Sequence, residues 1–371
     1  MSSWRECKLW DVAEVKGGKR LPKGELLTTE KTPHPYIRIT DFDGHKINLS
    51  AIQYVTEEVQ KSISRYIVNK QDIIISNVGT IGLCAKIPDE LDNANLTENC
   101  VKLVFDKNKI DTNFLYYHLI SPDTQELINS LDVGSTQPKL PIYNIQKIDI
   151  SLPPLEEQKA IAEVLCSFDD KIDLLHRQNQ TLESLAQTLF RQWFIEEAKE
   201  EWEEVTLSDV MELKYGKDHK HLNDGKIPIY GSGGIMRYGN TAIYENESIL
   251  IPRKGTLSNI LYVDEPFWTV DTIFWSKINS EKISGKLLFE FLKTLNFSNM
   301  NVGSAVPSLT TKVLNEISFA LPSLKEQEEF KQYTDNAWDK VKQNKKQIQT
   351  LENLRDTLLP KLLSGEVKIG G

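Results

Sequence analysis

The chain repeats itself, and this internal repeat constrains the fold more than any other feature of the sequence. The segment Leu152–Gln158 (LPPLEEQ) returns as Leu321–Gln327 (LPSLKEQ), with every residue 169 positions further on. The preceding segment Gly134–Leu140 (GSTQPKL) returns at the same distance as Gly303–Leu309 (GSAVPSL). A period of this length indicates two copies of a complete structural unit. We therefore expect two similar halves.

The beginnings of the two halves also resemble each other. Trp4–Val15 (WRECKLWDVAEV) matches Trp202–Leu213 (WEEVTLSDVMEL), and here the distance is 198 residues. The first half therefore carries about thirty residues that the second half lacks. Each half consists of a variable globular segment followed by a segment with a helical pattern.

The globular segments have the pattern of an α+β fold. Short β-rich runs such as Asp72–Ser76 and Ser248–Ile251 alternate with turns rich in Gly, Asn and Asp. One helix-like stretch is predicted in each globular segment, near Asn113–Asn129 and Gly285–Leu295.

The helical segments have the apolar spacing of a coiled coil. From Ile161 onward, apolar residues recur with alternating spacings of four and three, and Asn179 is the one polar member of this seam. The second half has a weaker copy with Asn344 at its centre, and Ser323 with Glu326 predicts a capping-box start. The first predicted seam is Ile161, Leu165, Phe168, Ile172, Leu175, Asn179, Leu182, Ala186, Leu189 and Trp193; the second is Phe330, Thr334, Ala337, Val341, Asn344, Ile348, Leu351, Arg355, Leu358 and Leu362.

An antiparallel pairing of these helices places Asn179 opposite Asn344 and Leu182 opposite Val341. The facing asparagines would satisfy two buried amides and fix the register, whereas the alternative is that each asparagine points to water. Ten such layers would form a rod of about 50 Å, at 1.5 Å per residue. We predict a globular domain at each end of this rod, an approximate two-fold axis, and a C-terminus that returns to the first domain.

The length and the composition agree with several domains in one chain. With 371 residues, the chain exceeds one ordinary compact domain. The predicted division is a first globular domain over residues 1–155, a spacer helix over 156–200, a second globular domain over 201–322, and a second spacer helix with the C-terminal segment over 323–371.

Composition also limits the compartment and the partners. No apolar run approaches the roughly 18 residues that cross a membrane, and the N-terminus lacks the apolar stretch of a signal peptide. The four cysteines form no CxxC pair, which is typical of reduced thiols, so we expect a cytoplasmic protein without a membrane partner.

The net charge of −9 argues mildly against a freestanding nucleic-acid binder. Contact with DNA would require local basic patches or the help of a partner.

This arrangement resembles the specificity subunit of type I restriction-modification enzymes over essentially the whole chain. The resemblance rests on the doubled Leu-Pro-x-Leu-x-Glu-Gln segment, the helix after each copy and the Gly-Ser…Pro-x-Leu element before it. Arg191–Phe194 (RQWF) and Leu359–Glu366 (LPKLLSGE) are also similar to family segments. Together these features are specific, although each alone would be weak.

The resemblance implies a function in phage defence. The globular segments would be target-recognition domains that bind a bipartite duplex DNA target, which is asymmetric because the two domains differ in sequence. Half-sites one helical turn apart are separated by about 34–36 Å. The helices would bind two methyltransferase subunits for adenine methylation and set the half-site spacing, and motor-nuclease subunits would add restriction. S-adenosylmethionine, ATP and magnesium would belong to these partners, and this chain would bind no cofactor.

Polar and basic loops supply the candidate DNA contacts of the first domain, because such side chains read base edges and bind phosphates. The loop Lys16–Lys23 is the densest basic segment, and its alternative is a solvated turn. Arg38 either faces DNA at a strand end or pairs with Asp41. Asn77, Gly79 and Thr80 follow a buried strand. The candidates of this domain are Lys16, Lys19, Arg20, Lys23, Arg38, Asn77, Thr80, Ser135, Thr136, Gln137 and Lys139.

The second domain has candidates in three segments. Tyr230–Ile235 (YGSGGI) and Ile251–Thr256 (IPRKGT) are similar to loops found in such domains, and the third segment is the second copy of the repeated element. The candidates are Ser232, Gly233, Gly234, Arg253, Lys254, Thr256, Ser304, Ser308, Thr310 and Lys312. Tyr238 and Trp268 could flank DNA, although core packing is the stronger alternative.

No catalytic constellation is visible in the sequence. The pair His219 and His221 lacks a nearby third ligand, which favours a solvated loop over a metal site. The chain has no GxxxxGK[ST] phosphate loop, no glycine-rich methyl-donor loop and no Asn-Pro-Pro-Tyr-type base-methylation motif. The two competing hypotheses are a nuclease that acts alone and a coiled-coil adaptor that binds only proteins.

Overall fold

The computed structural model describes residues 4–134, 136–300 and 308–369. The chain divides into two compact units: unit 1 comprises Met1–Leu174 with Gln347–Gly371, and unit 2 comprises Leu175–Lys346. Each of the two longest helices contributes residues to both units. The predicted α+β class, the internal repeat and the two long antiparallel helices are confirmed.

Unit 1 is built around a four-stranded antiparallel sheet and a second, mixed sheet. Its strands are β1 Arg5–Lys8, β2 Ala13–Gly17, β3 Pro35–Ile37, β4 Phe42–Asp43, β5 Lys46–Ile47, β6 Gln53–Tyr54, β7 Ile67–Val68, β8 Ile73–Ser76, β9 Cys84–Lys86, β10 Ala94–Leu96, β11 Cys100–Phe105 and β12 Asp149–Leu152. The first sheet has the order β2-β11-β8-β9, and the second has the order β6-β3-β10-β7, in which β3 and β10 are parallel. β1 pairs with β12, and β4 pairs with β5.

The central strand β8 is continuously apolar because both of its faces are covered. Ile73 and Ile75 point into the main core of unit 1, whereas Ile74 points into the smaller core against the second sheet. All three side chains are fully buried. A strand that is buried on both faces loses the alternation of polar and apolar residues, which explains the isoleucine run.

Five helices of unit 1 flank these sheets. They are α1 Leu9–Val12, α2 Glu57–Ser62, α3 Thr112–Ile120, α4 Pro122–Ser130 and α5 Ile142–Gln146, with 3-10 turns at Ile39–Asp41, Leu49–Ala51, Ser64–Tyr66 and Asp89–Leu91. The single helix predicted over Asn113–Asn129 is wrong, because the structure divides it at Ser121. The Ser121 hydroxyl accepts a hydrogen bond from Thr124 N as the N-cap of α4, and Pro122 has no N–H with which to continue α3.

The first long helix, α6 Leu155–Arg191, ends in the π-helical turn Gln192–Glu196. Unit 2 then repeats the core of unit 1 with β13 Glu203–Thr206, α7 Leu207–Val210, β14 Met211–Tyr215, β15 Asp224–Gly231, β16 Gly234–Gly239, β17 Ser248–Pro252, β18 Leu261–Val263, β19 Trp268–Thr269, β20 Ile273–Ile278, α8 Gly285–Thr294, the 3-10 turn Phe297–Met300, α9 Thr311–Asn315 and β21 Ser318–Leu321. The second long helix is α10 Leu324–Leu363.

The main sheet of unit 2 reproduces that of unit 1, and the second sheets share a parallel pair of strands. The order β14-β20-β17-β18 matches β2-β11-β8-β9, and β15 pairs with β19 in parallel, as β3 does with β10. The central strand β17 is also covered on both faces, with Ile249 and Ile251 in the main core and Leu250 in the smaller one. The two units therefore share a scaffold as well as sequence segments.

The long helices pack antiparallel within each unit. In unit 2, Phe190 of α6 contacts Phe330 of α10, with ring centroids 6.3 Å apart. In unit 1, the Arg355 guanidinium lies 2.6 Å from the Asp169 carboxylate. Near the C-terminal end of each helix a residue one position after a predicted seam residue is buried, Phe190 after Leu189 and Leu359 after Leu358, whereas the predicted Leu362 is buried as well. A helix with 3.6 residues per turn drifts from a strict heptad, which accounts for this displacement.

Asn179 and Asn344 lie in one layer of unit 2. The Asn344 amide nitrogen donates hydrogen bonds of 2.9 Å to Asn179 Oδ1 and to Gln178 Oε1. Both asparagines are buried, but Asn344 Oδ1 accepts no hydrogen bond within the described residues. The expectation that the layer satisfies both amides is therefore wrong, because no donor of the described residues, including the Asn179 amide, reaches Asn344 Oδ1.

The doubled Glu-Gln segment fastens each globular half to the start of the following long helix. The Trp4 indole N–H donates to Glu157 Oε2 at 3.1 Å, and the Trp202 indole N–H donates to Glu326 Oε2 at 2.9 Å. Glu326 also completes the capping box with Ser323, whose N–H and hydroxyl both donate to it. In each half, the tryptophan near the first residue is thus hydrogen-bonded to the start of the long helix that ends the half.

The glutamine of the same segment joins the start of each long helix to the N-terminus of a shorter helix, α3 in unit 1 and α8 in unit 2. Gln158 Oε1 accepts from Asp111 N at 2.8 Å, and Gln327 Oε1 accepts from Ser284 N at 3.1 Å. Both side-chain amides donate to the carbonyl of the proline five positions earlier. Asp111 and Ser284 are the N-cap residues of α3 and α8, so the repeat has a structural cause at this junction.

Candidate nucleic-acid interface

In unit 1, three predicted segments converge at the C-terminal end of β8. Asn77 follows this strand, its N–H donates to Asn99 O at 2.9 Å, and its carbonyl accepts from Leu140 N at 2.8 Å. Gly79 N donates to Pro138 O at 2.9 Å. The loop after the central strand is therefore tied to the repeated element on one side and to the turn before β11 on the other.

The basic loop of unit 1 meets the same turn. Gly18 N donates to Cys100 O at 2.9 Å, and Lys19 N donates to Leu96 O at 2.8 Å. A Cβ added to Gly18 would lie 1.9 Å from Thr97 O. Only glycine allows the two backbones to approach this closely. The Lys16–Lys23 loop and the Asn77 loop thus share one rim.

Unit 2 has the same construction. Arg253 N donates to Thr272 O at 2.8 Å, and its carbonyl accepts from Leu309 N at 3.0 Å. Lys254 forms an isolated bridge with Ser308, as Val78 does with Lys139 in unit 1. We call this assembly the strand-end rim. In each unit it consists of the loop after the central strand, the repeated element and the turn before the neighbouring strand of the sheet, which is β11 in unit 1 and β20 in unit 2.

The glycine hairpin of unit 2 joins its strand-end rim. Asn259 Nδ2 donates to Ser232 O at 2.8 Å, and a Cβ on Gly255 would lie 2.9 Å from the Ser232 hydroxyl. Gly233 has open space on its Cβ side, and Gly234 has a φ of +116°. The structure therefore brings Ser232, Gly233 and Gly234 next to the Arg253–Thr256 loop, where Thr256 is exposed.

Several candidate cations of unit 1 are already neutralised. Lys16 pairs with Glu14 at 3.0 Å, and Arg20 pairs with Glu98 at 2.5 Å. Arg38 pairs with the fully buried Asp41 at 2.6 Å. Two further donors of Arg38 bond to Gln53 and to Ala51 O. Of its two alternatives, Arg38 adopts the ion pair.

Other candidate cations remain available. Lys23 and Lys139 in unit 1, and Lys254 and Lys312 in unit 2, are exposed and form no salt bridge with a carboxylate of the described residues. Lys19 lies 5.9 Å from the centre of the Tyr66 ring and remains exposed. These side chains supply local positive charge on a chain whose net charge is negative.

The repeated element is held in a tight turn in unit 1. Asp132 Oδ1 accepts from Gly134 N and from Lys139 N, both at 2.8 Å, and these hydrogen bonds lower the pKa of Asp132. Thr136, Gln137 and Thr80 are exposed beside this turn, whereas Ser135 lies outside the described residues.

In the second copy, Ser304 lies outside the described residues, and Ser308 forms the bridge to Lys254. The Thr310 hydroxyl accepts from Val313 N at 3.3 Å as the N-cap of α9, which gives Thr310 a structural role. Thr310 and Lys312 are exposed at this point.

The histidines and aromatic residues of unit 2 have other partners. Arg237 Nε donates to His219 Nδ1 at 3.3 Å, and the His221 ring lies 5.7 Å from the Trp268 ring. Trp268 is buried and its indole N–H donates to Lys217 O, so it packs in the core, whereas Tyr238 is exposed. Within residues 4–134, 136–300 and 308–369, no group of three His, Cys, Asp or Glu side chains could hold a metal ion.

Sequence reasoning missed two features of unit 2. Lys217 is exposed next to Gly216, whose Cβ would lie 2.1 Å from Val270 O, so it corresponds to Lys19 beside Gly18. Aligning the halves at the distance of 198 residues would have found it. The second feature is the exposed apolar strand β16, with Ile235 and Met236 next to the glycine turn; its apolar residues do not alternate with polar ones, so no strand pattern marks it in the sequence.

Comparison with known proteins agrees with this duplicated construction. The model of the type I restriction modification DNA specificity domain matches the chain twice, over residues 1–184 and 199–353. The chain belongs to this family. Both matches together cover most of the chain, and they explain why each unit carries the same strand-end rim.

Individual relatives have the same family assignment. The chain is 25% identical to the type I restriction enzyme MjaIX specificity subunit of Methanocaldococcus jannaschii, over 99% of this chain and 94% of that protein. It is 27% identical to the MjaVIII specificity subunit of the same organism, over 99% and 93%. The crystal structure of a type I restriction-modification S subunit from M. genitalium has the same fold, with a TM-score of 0.63 and 23% identity over 97% of this chain and 96% of that one.

The family assignment confirms the predicted resemblance to type I specificity subunits. No helix within the described residues is both long enough and apolar enough to cross a membrane. All four cysteines are free thiols, and Cys7, Cys84 and Cys100 are buried. Burial raises the pKa of the Cys7 thiol above its ordinary value, so this group is a poor nucleophile.

Proposed function

We propose that this chain reads DNA for a type I restriction-modification complex and does no chemistry itself. Each unit would bind one half of a bipartite, asymmetric duplex target. Two methyltransferase subunits would bind the long helices and methylate adenine, and motor-nuclease subunits would add restriction. S-adenosylmethionine, ATP and magnesium would be bound by those partners, in the cytoplasm.

The observation that carries this proposal is the presence of the same strand-end rim in both units. In each rim the backbone is fixed by equivalent hydrogen bonds, while the exposed side chains differ between the units. Lys139 and Lys254 lie on opposite sides of the equivalent bridges, are exposed and form no salt bridge within the described residues, so they can neutralise phosphates. Polar neighbours such as Gln137 and Thr256 can reach base edges. Two similar scaffolds with different polar rims suit a target with two different halves.

We propose that the target-recognition domains occupy residues 1–155 and 201–322, with spacer segments over 156–200 and 323–371. The candidate contacts are the side chains of the two strand-end rims together with Lys19, Lys23 and the glycine hairpin. Lys16, Arg20 and Arg38 would shape the first rim through their ion pairs rather than bind DNA directly. The partner methyltransferases would supply the remaining phosphate contacts, which offsets the net charge of −9.

The deciding experiment is to co-express the full chain with its cognate methyltransferase and to map methylated adenines across the host genome by single-molecule sequencing. We expect one bipartite, asymmetric motif with a fixed unspecified gap. A complex that assembles normally but methylates no defined motif would contradict the proposal and favour an adaptor that binds only proteins.

A parallel assay separates the enzyme alternative. The purified chain is incubated with duplex DNA and magnesium, without any partner. We expect no cleavage, because no three-residue acidic or histidine cluster is present in the described part of the chain. Cleavage that follows the chain through purification would favour a nuclease.

We further propose that the long helices set the gap between the half-sites. Four residues inserted near Leu182 add about 6 Å of helix, at 1.5 Å per residue, and should lengthen the unspecified gap. The insertion also rotates the helix faces, so assembly with the methyltransferase is measured in parallel. An unchanged gap in an assembled complex would contradict the ruler role alone.

A further inference from the structure

Asn77 and Arg253 occupy the same position in the two scaffolds. Each is the first residue after the central strand. The N–H of each donates to the turn before the next strand, at Asn99 O and Thr272 O, and the carbonyl of each accepts from the leucine of the repeated element. The backbone is therefore held on both sides in the same way, and only the side chain differs.

A fixed backbone with a variable side chain is suited to base reading. Recognition of a base edge requires a well-placed reading group, and the two backbone hydrogen bonds fix the point from which each side chain extends. The residues that follow, Val78 and Lys254, form the bridges to the repeated element and fix the direction of the loop.

Arg253 is prepared for an external ligand. Its guanidinium carbon lies 5.6 Å from the centre of the Tyr215 ring, and Nη1 lies 3.3 Å from Asp271 O. It forms no salt bridge with a carboxylate of the described residues, in contrast to Arg38 and Arg20. The ring holds the guanidinium in place, while most of its donors remain available for a pair of acceptors.

Asn77 lacks any hydrogen bond through its side chain within the described residues, and its buried Oδ1 has no donor. An unsatisfied buried acceptor is costly, so the folded state gains when a donor reaches it. Because Asn77 makes no side-chain hydrogen bond within the described residues, rotating its amide toward a bound base breaks none.

We propose that Arg253 and Asn77 are the equivalent specificity-determining residues of the two units, and that each reads one base in the major groove. Arg253 donates two hydrogen bonds to O6 and N7 of a guanine, and Asn77 exchanges two hydrogen bonds with N6 and N7 of an adenine. This inference rests on the proposed DNA-reading function.

The test uses the full chain with its cognate methyltransferase and the genome-wide methylation map. Arg253→Gln should remove the requirement for one guanine in one half of the motif, with discrimination at that position falling about 10- to 100-fold. Asn77→Ala should remove the requirement for one adenine in the other half. In both variants the remaining positions of the motif stay unchanged.

Two further variants keep the test decisive. Arg253→Lys retains the charge but loses the planar fork, so it should relax the same guanine position even if the glutamine variant does not assemble. Lys254→Ala removes the neighbouring exposed cation and should weaken methylation at all sites without altering the motif.

The outcomes separate this inference from the proposed function. A wild-type motif that is unchanged in assembled Arg253→Lys and Asn77→Ala complexes overturns the inference alone. A change in both halves of the motif from either single variant also overturns it. Absence of any motif with the wild-type chain overturns the proposed function and the inference with it.

Discussion

Units 1 and 2 have the same strand order in their main sheet and the same junctions, although the second sheet has four strands in unit 1 and three in the described part of unit 2. Two differences between their side chains are more informative. At the strand-end rim, unit 1 presents Asn77 where unit 2 presents Arg253. Beside the long helices, unit 1 has a hydrogen-bonded tyrosine where unit 2 has a buried carboxyl that accepts no hydrogen bond within the described residues. The backbone scaffold thus tolerates large changes in side-chain chemistry, which is what a duplicated reader of two different sequences requires.

The second difference lies at equivalent helical positions. Tyr117 and Glu290 are each the sixth residue after the N-cap of α3 or α8. The Tyr117 hydroxyl donates to Asp169 at 2.7 Å, and Asp169 also binds Arg355. In unit 2 the Glu290 carboxyl is fully buried and accepts no hydrogen bond in the described structure, although Lys293 Nζ lies 3.4 Å away.

The largest expected effect tests whether the two scaffolds are equivalent. Gly18→Ala and Gly216→Ala would each place a methyl group near 2 Å from a backbone carbonyl oxygen, at 1.9 Å and 2.1 Å. Each should lower the free energy of unfolding of its own unit by about 3 kcal/mol, because moving either carbonyl disturbs the turn hydrogen bond that it accepts from Cys100 N or Ile273 N. Hydrogen exchange followed by mass spectrometry would localise the effect. Gly233→Ala, where no atom lies within 4 Å, is the control and should be neutral.

A large loss of stability in only one of the two variants would contradict the equivalence of the two scaffolds. It would mean that the two glycine turns differ in their freedom to relax, although their backbone hydrogen bonds correspond.

The next effect concerns pH and should be confined to unit 2. Burial raises the pKa of Glu290 to about 7, with partial opposition from Lys293, whereas the ordinary value is 4.5. The folded state therefore holds a proton that the unfolded chain releases between pH 4.5 and 7. This stabilisation is complete below pH 4.5 and is lost as the pH rises through 7, a change of about 3 kcal/mol.

Glu290→Gln should flatten this pH dependence and stabilise unit 2 by about 2 kcal/mol at pH 8, less than the full amount because the amide is also buried. Urea unfolding at pH 5 and pH 8 measures the change. The matched variant Tyr117→Phe in unit 1 should leave the pH profile unchanged, because burial and Asp169 raise the pKa of Tyr117 far above this range. A pH dependence that persists in Glu290→Gln would assign it to another group.

A smaller effect is expected at the asparagine layer of unit 2. Asn344→Leu removes the donor to Asn179 Oδ1 and should cost about 1.5 kcal/mol. Adding Asn179→Leu should recover this loss, since it removes the Asn179 Oδ1 that the first substitution leaves without its donor. A double-mutant cycle on unfolding free energies gives the coupling, and simple additivity would show that the layer is not a unit.

The parts that sequence reasoning found are those that repeat or follow a simple period. The doubled segments located the junctions, and the heptad spacing located the helices and brought Asn179 to Asn344 as a pair. The same reasoning missed the break at Ser121, because a local cap overrides helical propensity there. It also could not tell that Lys16 forms a salt bridge whereas Lys254 forms none within the described residues, because ion pairs depend on side-chain placement.

The smallest effect would sharpen the distinction between paired and unpaired cations at the candidate interface. DNA binding by the chain with its methyltransferase is followed by fluorescence anisotropy at several NaCl concentrations. The slope of log affinity against log salt is negative, and Lys254→Ala and Lys312→Ala should each reduce its magnitude by about one. Each of these lysines is expected to release one counterion when it contacts a phosphate. Lys16→Ala should leave the slope unchanged, because Glu14 already neutralises this amine at 3.0 Å. An equal reduction of the slope by Lys16→Ala would show that the Lys16–Glu14 ion pair opens when DNA binds. The salt bridges of the free chain would then no longer predict which cations contact phosphate.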